Sequence, residues 1–272
     1  MAYFKNMPQL PLTDAQLYYE VRGEGEPLVL IPGLAAGAWI WFKQVGALSA
    51  HFRVITFDPR GIGQSGSSES PADMRLLADD VELLLRGLGI ARAHMLGVSF
   101  GGFVAQKFAL AYPDMTRTLT LCCTSFGGPN HVAPSTETLT AVASTDGLNT
   151  VERVRRILMP AFSPDFRRDH HSTEVEQTVK LRVANPVSEE TYRAQLMSAI
   201  GFNAEPRLSA IKSPTLVISG DADAIVPAQN SRNLAAKIPG AKLALIEGGS
   251  HLFFIERPTE FNSIVTEFLN EQ

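Results

Sequence analysis

The most informative residues of the chain are Gly97-Val98-Ser99-Phe100-Gly101-Gly102. They lie between an apolar run at 93–96 and a helix-forming run at 103–110. A G-x-S-x-G sequence at a strand–turn–helix junction is typical of a nucleophile on a sharp turn. The residues two before and two after the serine must be small, because larger side chains would collide, and both are glycine. The pattern predicts that the Ser99 hydroxyl lies above a sheet, at a helix N-terminus that favours developing negative charge.

Strands alternate with helices on both sides of this turn. Apolar runs predict strands at 17–21, 28–31, 53–57, 93–98, 118–123, 215–218 and 242–246. Helical spacing predicts helices at 39–48, 72–88, 103–110, 229–237 and 258–269. Continuous apolar runs such as 28–31 are typical of strands buried on both faces of a parallel sheet. The alternation therefore predicts an α/β fold, with a mostly parallel, twisted sheet flanked by helices.

The alternation stops between residues 127 and 207. This segment contains helical patterns punctuated by prolines and no convincing strand. We therefore predict a core domain formed by residues 1–126 and 208–272, with residues 127–207 inserted as a helical cap. An insertion of about 80 residues is within the size range of a subdomain.

Composition narrows the class of protein. A chain of 272 residues with 45% hydrophobic residues is long enough for one large domain with a substantial core. Its net charge of −4 argues against nucleic-acid binding, because no basic stripe can neutralise phosphates. No apolar run approaches the length of about 20 residues that a membrane span needs, and no signal-peptide pattern precedes the first strand. We expect a cytoplasmic protein without a membrane partner; its oligomeric state is open, a homodimer included.

The two cysteines, Cys122 and Cys123, are adjacent in a strand-like run. Neighbouring residues of a strand point to opposite faces, so we expect two buried thiols rather than a disulfide.

A serine hydroxyl needs a base, and the base needs a third group to orient it. Asp221 and Asp223 follow the predicted strand at 215–218, and His251 follows the predicted strand at 242–246. The order serine, acid, histidine is that of the α/β-hydrolase triad. From the residues alone, either aspartate could be the acid.

Over essentially its whole length the chain resembles the α/β-hydrolase superfamily, and its motifs are similar to those of small carboxylesterases, enol-lactonases and cofactor-free haloperoxidases. The family acid lies in a G-x-x-D-x-x-x-P pattern, which Gly220, Asp223 and Pro227 match, so the resemblance selects Asp223 over Asp221. The family's D-x-R-G-x-G-x-S stretch is matched at 58–65. The resemblance implies an α/β-hydrolase fold with a helical cap, a triad of Ser99, Asp223 and His251, and no metal or other cofactor.

The resemblance also implies an oxyanion hole formed by the backbone N–H groups of Phe100 and Leu34. Many relatives have His-Gly in the oxyanion loop, where this chain has Pro32-Gly33-Leu34. The hole is made of backbone groups, so the missing histidine need not remove it. Pro32 has no N–H and cannot donate.

Apolar side chains near the turn and in the predicted cap are candidates for substrate binding, since ligand sites favour junctions between domains. Core packing explains most such residues equally well. The candidates are Trp39, Phe126, Met159, Phe162, Met197 and Phe202.

Two further patterns carry little weight. His170 and His171 could suggest a metal site, but adjacent residues rarely bind one ion together, so we predict no metal. The G-x-G-x-x-G match at 61–66 does not directly follow a strand and does not open a helix, so we reject a dinucleotide site.

These features favour a carboxylic-ester hydrolase that cleaves small to medium, largely apolar esters through an acyl-enzyme on Ser99. Serine at position 99 speaks against dehalogenases and epoxide hydrolases, which place aspartate there. The alternatives are an enol-lactone hydrolase, a cofactor-free perhydrolase or haloperoxidase, a C–C bond hydrolase and, outside the enzymes, a ligand receptor on the same scaffold. The expected partner is a small-molecule ester or lactone.

Overall fold

The computed structural model describes residues 8–12, 15–66, 73–143, 147–169 and 173–272. Within these residues, eight strands form one sheet in the order β1-β2-β4-β3-β5-β6-β7-β8. The strands are β1 (Gln9–Pro11), β2 (Gln16–Arg22), β3 (Pro27–Ile31), β4 (Arg53–Phe57), β5 (Ala93–Val98), β6 (Thr116–Cys122), β7 (Thr215–Gly220) and β8 (Lys242–Ile246). β1, β2 and β4 pair antiparallel, and every pairing from β4 to β8 along the sheet is parallel. The predicted fold class is confirmed.

The helices flank the sheet and fill the segment between β6 and β7. They are α1 (Val45–Leu48), α2 (Met74–Gly87), α3 (Phe100–Ala111), α4 (Thr136–Ala143), α5 (Thr150–Leu158), α6 (Pro164–Asp169), α7 (Glu174–Ala184), α8 (Glu189–Gly201), α9 (Gln229–Lys237), α10 (Phe253–Glu256) and α11 (Pro258–Asn270). In the part of the chain that the structure describes, no helix has both the length and the apolar character needed to cross a bilayer.

The structure corrects two predicted elements and adds one strand. The helix predicted at 39–48 is instead a short 3-10 helix, Ala38–Trp41, followed by α1. The strand predicted at 118–123 begins at Thr116 and ends at Cys122, and the edge strand β1 was not predicted at all. β1 has three residues and ends in a proline, so it contains too little alternation to be found in the sequence.

Each face of the sheet is covered by helices. On one face Val29, Ile31 and Met95 pack with residues of α2 and α3. On the other face Leu28 and Leu30 pack with residues of α1 and α11. Because both faces are buried, the central strands are apolar at successive positions, which explains the continuous runs in the sequence.

The strand order creates a crevice at one edge of the sheet. From β3 the chain continues to β4 on one side, and then crosses to β5 on the other side of β3. The carboxyl ends of β3 and β5 therefore lie at the point where the strand order reverses, which is where open α/β sheets bind ligands. Ser99 follows β5, and the loop that begins at Pro32 follows β3.

The segment predicted as the cap contains α4 to α8. Its two ends lie side by side, since Gly127 and Asn203 form an isolated antiparallel bridge. The Ala204 N–H donates to the Phe126 oxygen at 2.9 Å. The chain therefore leaves and re-enters the sheet domain at neighbouring points. The division into core and cap at residues 126/127 and 207/208 stays a prediction.

Candidate active site

Ser99 occupies a strained turn between β5 and α3. Its backbone has φ 54° and ψ −117°, in a region that costs a residue with a side chain roughly 1–3 kcal/mol. Hydrogen bonds fix this conformation: the Ser99 N–H donates to the Cys122 oxygen at 2.9 Å. The Ser99 oxygen accepts from the Gly102 N–H at 2.9 Å and from the Thr124 hydroxyl at 2.7 Å. The turn places Ser99 at the N-terminus of α3, in the crevice.

The two glycines of the turn are required by close backbone contacts. A Cβ on Gly97 would lie 2.2 Å from the Gly101 oxygen, and a Cβ on Gly101 would lie 2.3 Å from the Ile31 oxygen. Both distances are far below van der Waals contact, so α3 can pack this closely on β3 and β5 only with glycine at both positions.

His251 and Asp223 form a buried hydrogen-bonded pair. The His251 Nδ1 lies 2.8 Å from the Asp223 Oδ2, and 8% of His251 and 6% of Asp223 are exposed. The other carboxylate oxygen accepts from the N–H groups of Ile225 and Val226, both at 2.8 Å. Because the carboxylate can only accept, the neutral imidazole carries its proton on Nδ1 and keeps a lone pair on Nε2.

Asp221 has a different partner. Its Oδ1 accepts from the Gly248 N–H at 2.7 Å, which ties the loop after β7 to the loop after β8. The structure therefore brings Asp223, and not Asp221, to the histidine.

The surroundings of His251 change its pKa in two directions. Burial lowers the pKa, whereas the charge of Asp223 and its hydrogen bond raise it. The neighbouring Cys123 raises it as well, and these effects together exceed that of burial, so the pKa of His251 lies well above its usual range.

Cys123 is a neighbour of this pair that sequence reasoning missed. Its Sγ, the Asp223 carboxylate and the His251 ring lie within 4.8 Å of one another. The expectation that the two cysteines point to opposite faces is wrong, because Cys123 lies beyond the end of β6 with φ 38°. Both thiols are buried and free, with their sulfurs 3.8 Å apart. Burial raises the pKa of the Cys123 thiol well above its usual range.

A metal ion would have to compete with these contacts. Cys123, Asp223 and His251 form the one cluster of metal-ligating groups found among the described residues. The Asp223 carboxylate and the His251 imidazole are hydrogen-bonded to each other, and the raised pKa of the Cys123 thiol keeps it protonated. His170 and His171 lie outside the described residues.

The loop after β3 lies against the nucleophile, since a Cβ on Gly33 would be 3.6 Å from the Ser99 Cβ. In this loop the Ala35 N–H donates to Gln195 Oε1 at 2.8 Å, and the Ala36 N–H donates to the Gly33 oxygen at 3.2 Å. Of the amides at 34–36, this leaves the N–H of Leu34 as the candidate oxyanion donor. Phe100 is the first residue of α3, so its N–H has no partner within the helix. Both donors stay predictions.

The motif at 58–65 supports the oxyanion loop from behind. Asp58 accepts from the Ala38 N–H at 2.8 Å and from the Gln64 N–H at 2.9 Å. Arg60 is buried and forms two hydrogen bonds to Asp80 of α2, at 2.7 and 2.6 Å. The motif is therefore structural, and the guanidinium of Arg60 is bound to a carboxylate of the protein itself.

The six predicted substrate-binding residues do not share one surface. Phe126 and Phe202 belong to the cluster on the α2–α3 face. Trp39, Met159 and Phe162 belong to the cluster on the α1–α11 face. Met197 lies on α8 with 59% of its surface exposed and belongs to neither cluster. The two groups therefore belong to different hydrophobic clusters, and contact with substrate stays a prediction for all six.

Glu256 connects the cap to the histidine loop, and no pattern in the sequence indicated it. Its carboxylate accepts from the N–H of Ser163 in the cap and from the N–H of Ser250 at 3.0 Å. Beside it, the Leu252 N–H donates to the Ala161 oxygen at 2.8 Å. The residues on both sides of His251 are therefore bonded directly or through Glu256 to the cap.

The chain is similar to known proteins over most of its length. The family with the α/β hydrolase fold matches residues 26–258. The "Putative carbamate hydrolase RutD" of Azorhizobium caulinodans is 29% identical over 97% of this chain and 99% of that protein. The poly(3-hydroxyalkanoate) depolymerase of Ectopseudomonas oleovorans is 32% identical over 90% of this chain and 85% of that protein. The crystal structure of the enol-lactonase from Burkholderia xenovorans LB400 superposes with a TM-score of 0.84, at 28% identity over 97% of this chain and 100% of that chain.

Proposed function

Because the chain belongs to the α/β-hydrolase family, a hydrolase family, we propose that it is a serine hydrolase that cleaves carboxylic esters through an acyl-enzyme on Ser99. The observation that carries the proposal is the buried His251–Asp223 hydrogen bond of 2.8 Å, at the same sheet edge as the strained Ser99 turn. A turn that stores strain around one hydroxyl, at the sheet edge that also holds an oriented imidazole, is the arrangement expected of nucleophilic catalysis.

The mechanism follows from these positions. His251 Nε2 accepts the Ser99 proton as the hydroxyl oxygen attacks the ester carbonyl carbon. Asp223 keeps the proton on Nδ1 and stabilises the imidazolium that forms. The N–H groups of Phe100 and Leu34 bind the oxyanion, a contribution worth about 3 kcal/mol per donor. His251 then protonates the leaving alcohol, and water attacks the acyl-enzyme in the same way to release the acid and restore Ser99.

The charges around the site support a neutral substrate. Arg60 is buried in its pair with Asp80, and Arg155 of the cap is paired with Glu176. Neither guanidinium is free to bind a substrate carboxylate. The aromatic and aliphatic residues predicted to contact substrate would favour small to medium, largely apolar acyl or alcohol groups.

The names of the relatives support the reaction type. A carbamate, a polyester and an enol lactone all contain a carbonyl carbon bonded to a heteroatom leaving group. Attack by serine on such a carbonyl is the common step. An enol lactone is a cyclic ester, so a lactone is the second substrate to test.

The experiment is steady-state hydrolysis of p-nitrophenyl esters of increasing acyl length by wild type and Ser99→Ala. We expect multiple turnovers by the wild type and a loss of several orders of magnitude in kcat for the variant, as when a triad serine is removed from other hydrolases. Most of the activity remaining in the variant would contradict the nucleophile assignment. A single burst without further turnover would favour the alternative of a ligand receptor on the same scaffold. Turnover of lactones alone would favour the enol-lactone hydrolase.

A further inference from the structure

Helix α8 of the cap buries a glutamine and exposes its apolar residues. Gln195 has no exposed surface, whereas Met197 and Ile200 are 59% and 68% exposed. A cap helix normally turns its apolar side chains inward, and a buried amide is costly unless its polar groups are bonded. Such a departure from the hydrophobic pattern is expected where a residue serves function rather than packing.

The contacts of α8 place Gln195 over the crevice. Near its start, Thr191 packs against Gly61 in the loop after β4. A Cβ added to Gly61 would lie 2.7 Å from the Thr191 hydroxyl oxygen. Just after its end, Phe202 stacks on Phe103 of α3 with ring centroids 4.6 Å apart. Gln195 lies between these two contacts. Helix α8 therefore extends from the loop after β4 to α3, the helix that follows Ser99.

One end of the Gln195 amide is bound to the oxyanion loop. Its oxygen accepts from the Ala35 N–H at 2.8 Å, across 160 positions of sequence. Ala35 has φ 54°, a strained conformation that this bond helps to hold. Because a backbone N–H can only donate, the atom facing it must be the amide oxygen, which settles the orientation of the side chain.

The other end of the amide has no partner. Gln195 Nε2 is buried, and none of the residues that the structure describes accepts a hydrogen bond from it. Two buried N–H groups without a partner, beside the loop that holds Ala35, are costly until an acceptor arrives. A bound substrate is the group that enters this crevice, and a substrate oxygen would satisfy the donor.

We propose that Gln195 is a positioning and specificity-determining residue. Its Oε1 fixes Ala35, and through it the adjoining Leu34 N–H, while its Nε2 donates to a substrate oxygen close to the scissile carbonyl. This inference rests on the proposed ester hydrolysis and narrows its substrate class. The preferred esters carry an ether, keto or hydroxyl oxygen close to the carbonyl group.

Two isosteric esters test this: p-nitrophenyl butyrate, and p-nitrophenyl methoxyacetate, in which an oxygen replaces one methylene. The variants are Gln195→Met, which keeps the length of the side chain without its hydrogen bonds, and Leu196→Ala, an exposed control on the same helix. For Gln195→Met we expect kcat on the butyrate to fall about tenfold, because a displaced oxyanion donor slows the chemical step. We expect KM for the butyrate to change little. The kcat/KM for the methoxyacetate should fall about fivefold more than the kcat/KM for the butyrate, because one more hydrogen bond is lost.

Unchanged kinetics of Gln195→Met on both esters would overturn the inference. Equal losses on the two esters would contradict the donor role of Nε2, and an effect on KM alone would contradict the positioning role of Oε1. Leu196→Ala should match the wild type, and all three proteins should unfold cooperatively.

A binding measurement separates this inference from the proposed function. The unreactive amides butyramide and methoxyacetamide are titrated by NMR into wild type and Gln195→Met. The wild type should bind methoxyacetamide about fivefold more tightly than butyramide, and the variant should show no preference. If the wild type hydrolyses neither ester, the proposed function fails. The preference between the amides still decides whether Nε2 is a donor to the ligand.

Discussion

Asp221 and Asp223 are two positions apart, and in the structure they form different hydrogen bonds. We predict that Asp223→Asn lowers kcat by about 10⁴, because an amide no longer imposes the Nδ1–H tautomer on His251 or stabilises the imidazolium. Asp221→Asn should leave kcat within a few-fold, since its carboxylate binds the Gly248 N–H instead. Steady-state kinetics of the two purified variants on one p-nitrophenyl ester checks this prediction. A larger loss for Asp221→Asn would show that the acid is misassigned.

We predict that the raised pKa of His251 determines the acid limb of the pH–activity profile. The imidazole accepts a proton only in its neutral form, so kcat/KM should rise with pH, with a midpoint above the model-peptide value of about 6.5. In Asp223→Asn the midpoint of the imidazole titration should move down, because burial still lowers the pKa and the carboxylate no longer raises it. The pH dependence of kcat/KM and imidazole proton NMR measure the two midpoints. A wild-type midpoint well below 6.5, or no shift in the variant, would contradict this account.

The raised pKa of His251 also makes the stability of the folded protein depend on pH. A histidine whose pKa is raised in the folded state adds stability that is fully present below the unfolded pKa of about 6.5 and is lost as pH rises through the folded pKa. Wild type should therefore lose more stability across that window than Asp223→Asn.

Among the secondary-structure elements, the packing of α3 on β3 and β5 depends on Gly101. We predict that Gly101→Ala destabilises the protein by several kcal/mol, because its Cβ would lie 2.3 Å from the Ile31 oxygen. The matched control is Gly46→Ala in α1, where nothing lies within 4 Å of the added Cβ. That change should raise stability by about 0.5–1 kcal/mol, since alanine is the better helix former. Urea unfolding of both variants gives the comparison, and equal stabilities would contradict the packing argument.

Continuous apolar runs made the parallel strands predictable, because strands buried on both faces leave a signal at every residue. The short edge strand β1 left no such signal, since it has three residues and one proline. The helical region is interrupted between Trp41 and Val45, and this break was not predictable because it depends on tertiary contacts. Asp58 accepts a hydrogen bond from the Ala38 N–H, and the ring centroids of Trp41 and Phe254 lie 5.6 Å apart. Local periodicity contains no information on such contacts.

For the molecule as a whole, the cap is joined to the histidine loop through Glu256. We predict that Glu256→Ala increases backbone hydrogen exchange in the segment around Ala161 and Ser163, because the Ser163 N–H loses its acceptor. Exchange in the central strands β5 and β6 should stay unchanged. Hydrogen-exchange mass spectrometry makes the measurement, with Glu260→Ala on the exposed surface of α11 as control. Unchanged exchange in the cap segment would show that Glu256 does not hold it in place.

The contacts between the segment predicted as the cap and the sheet domain could not be predicted from the sequence. The order of Ser99, Asp223 and His251 was recognisable because each follows a strand and matches a short motif. Gln195 and Glu256 belong to no motif and contact residues 160 and 93 positions away. Cys123 was misplaced because the end of β6 was predicted one residue late, and its left-handed φ turns it toward the histidine.

The first measurement to make is labelling of the protein with a fluorophosphonate, followed by intact-mass and peptide-mapping mass spectrometry. We predict one adduct per chain, on the peptide that contains Ser99, no adduct in Ser99→Ala, and labelling slowed by orders of magnitude in His251→Ala. Such a result would establish Ser99 as a nucleophile activated by His251. An adduct on another residue, or equal labelling rates in wild type and His251→Ala, would contradict the proposed site.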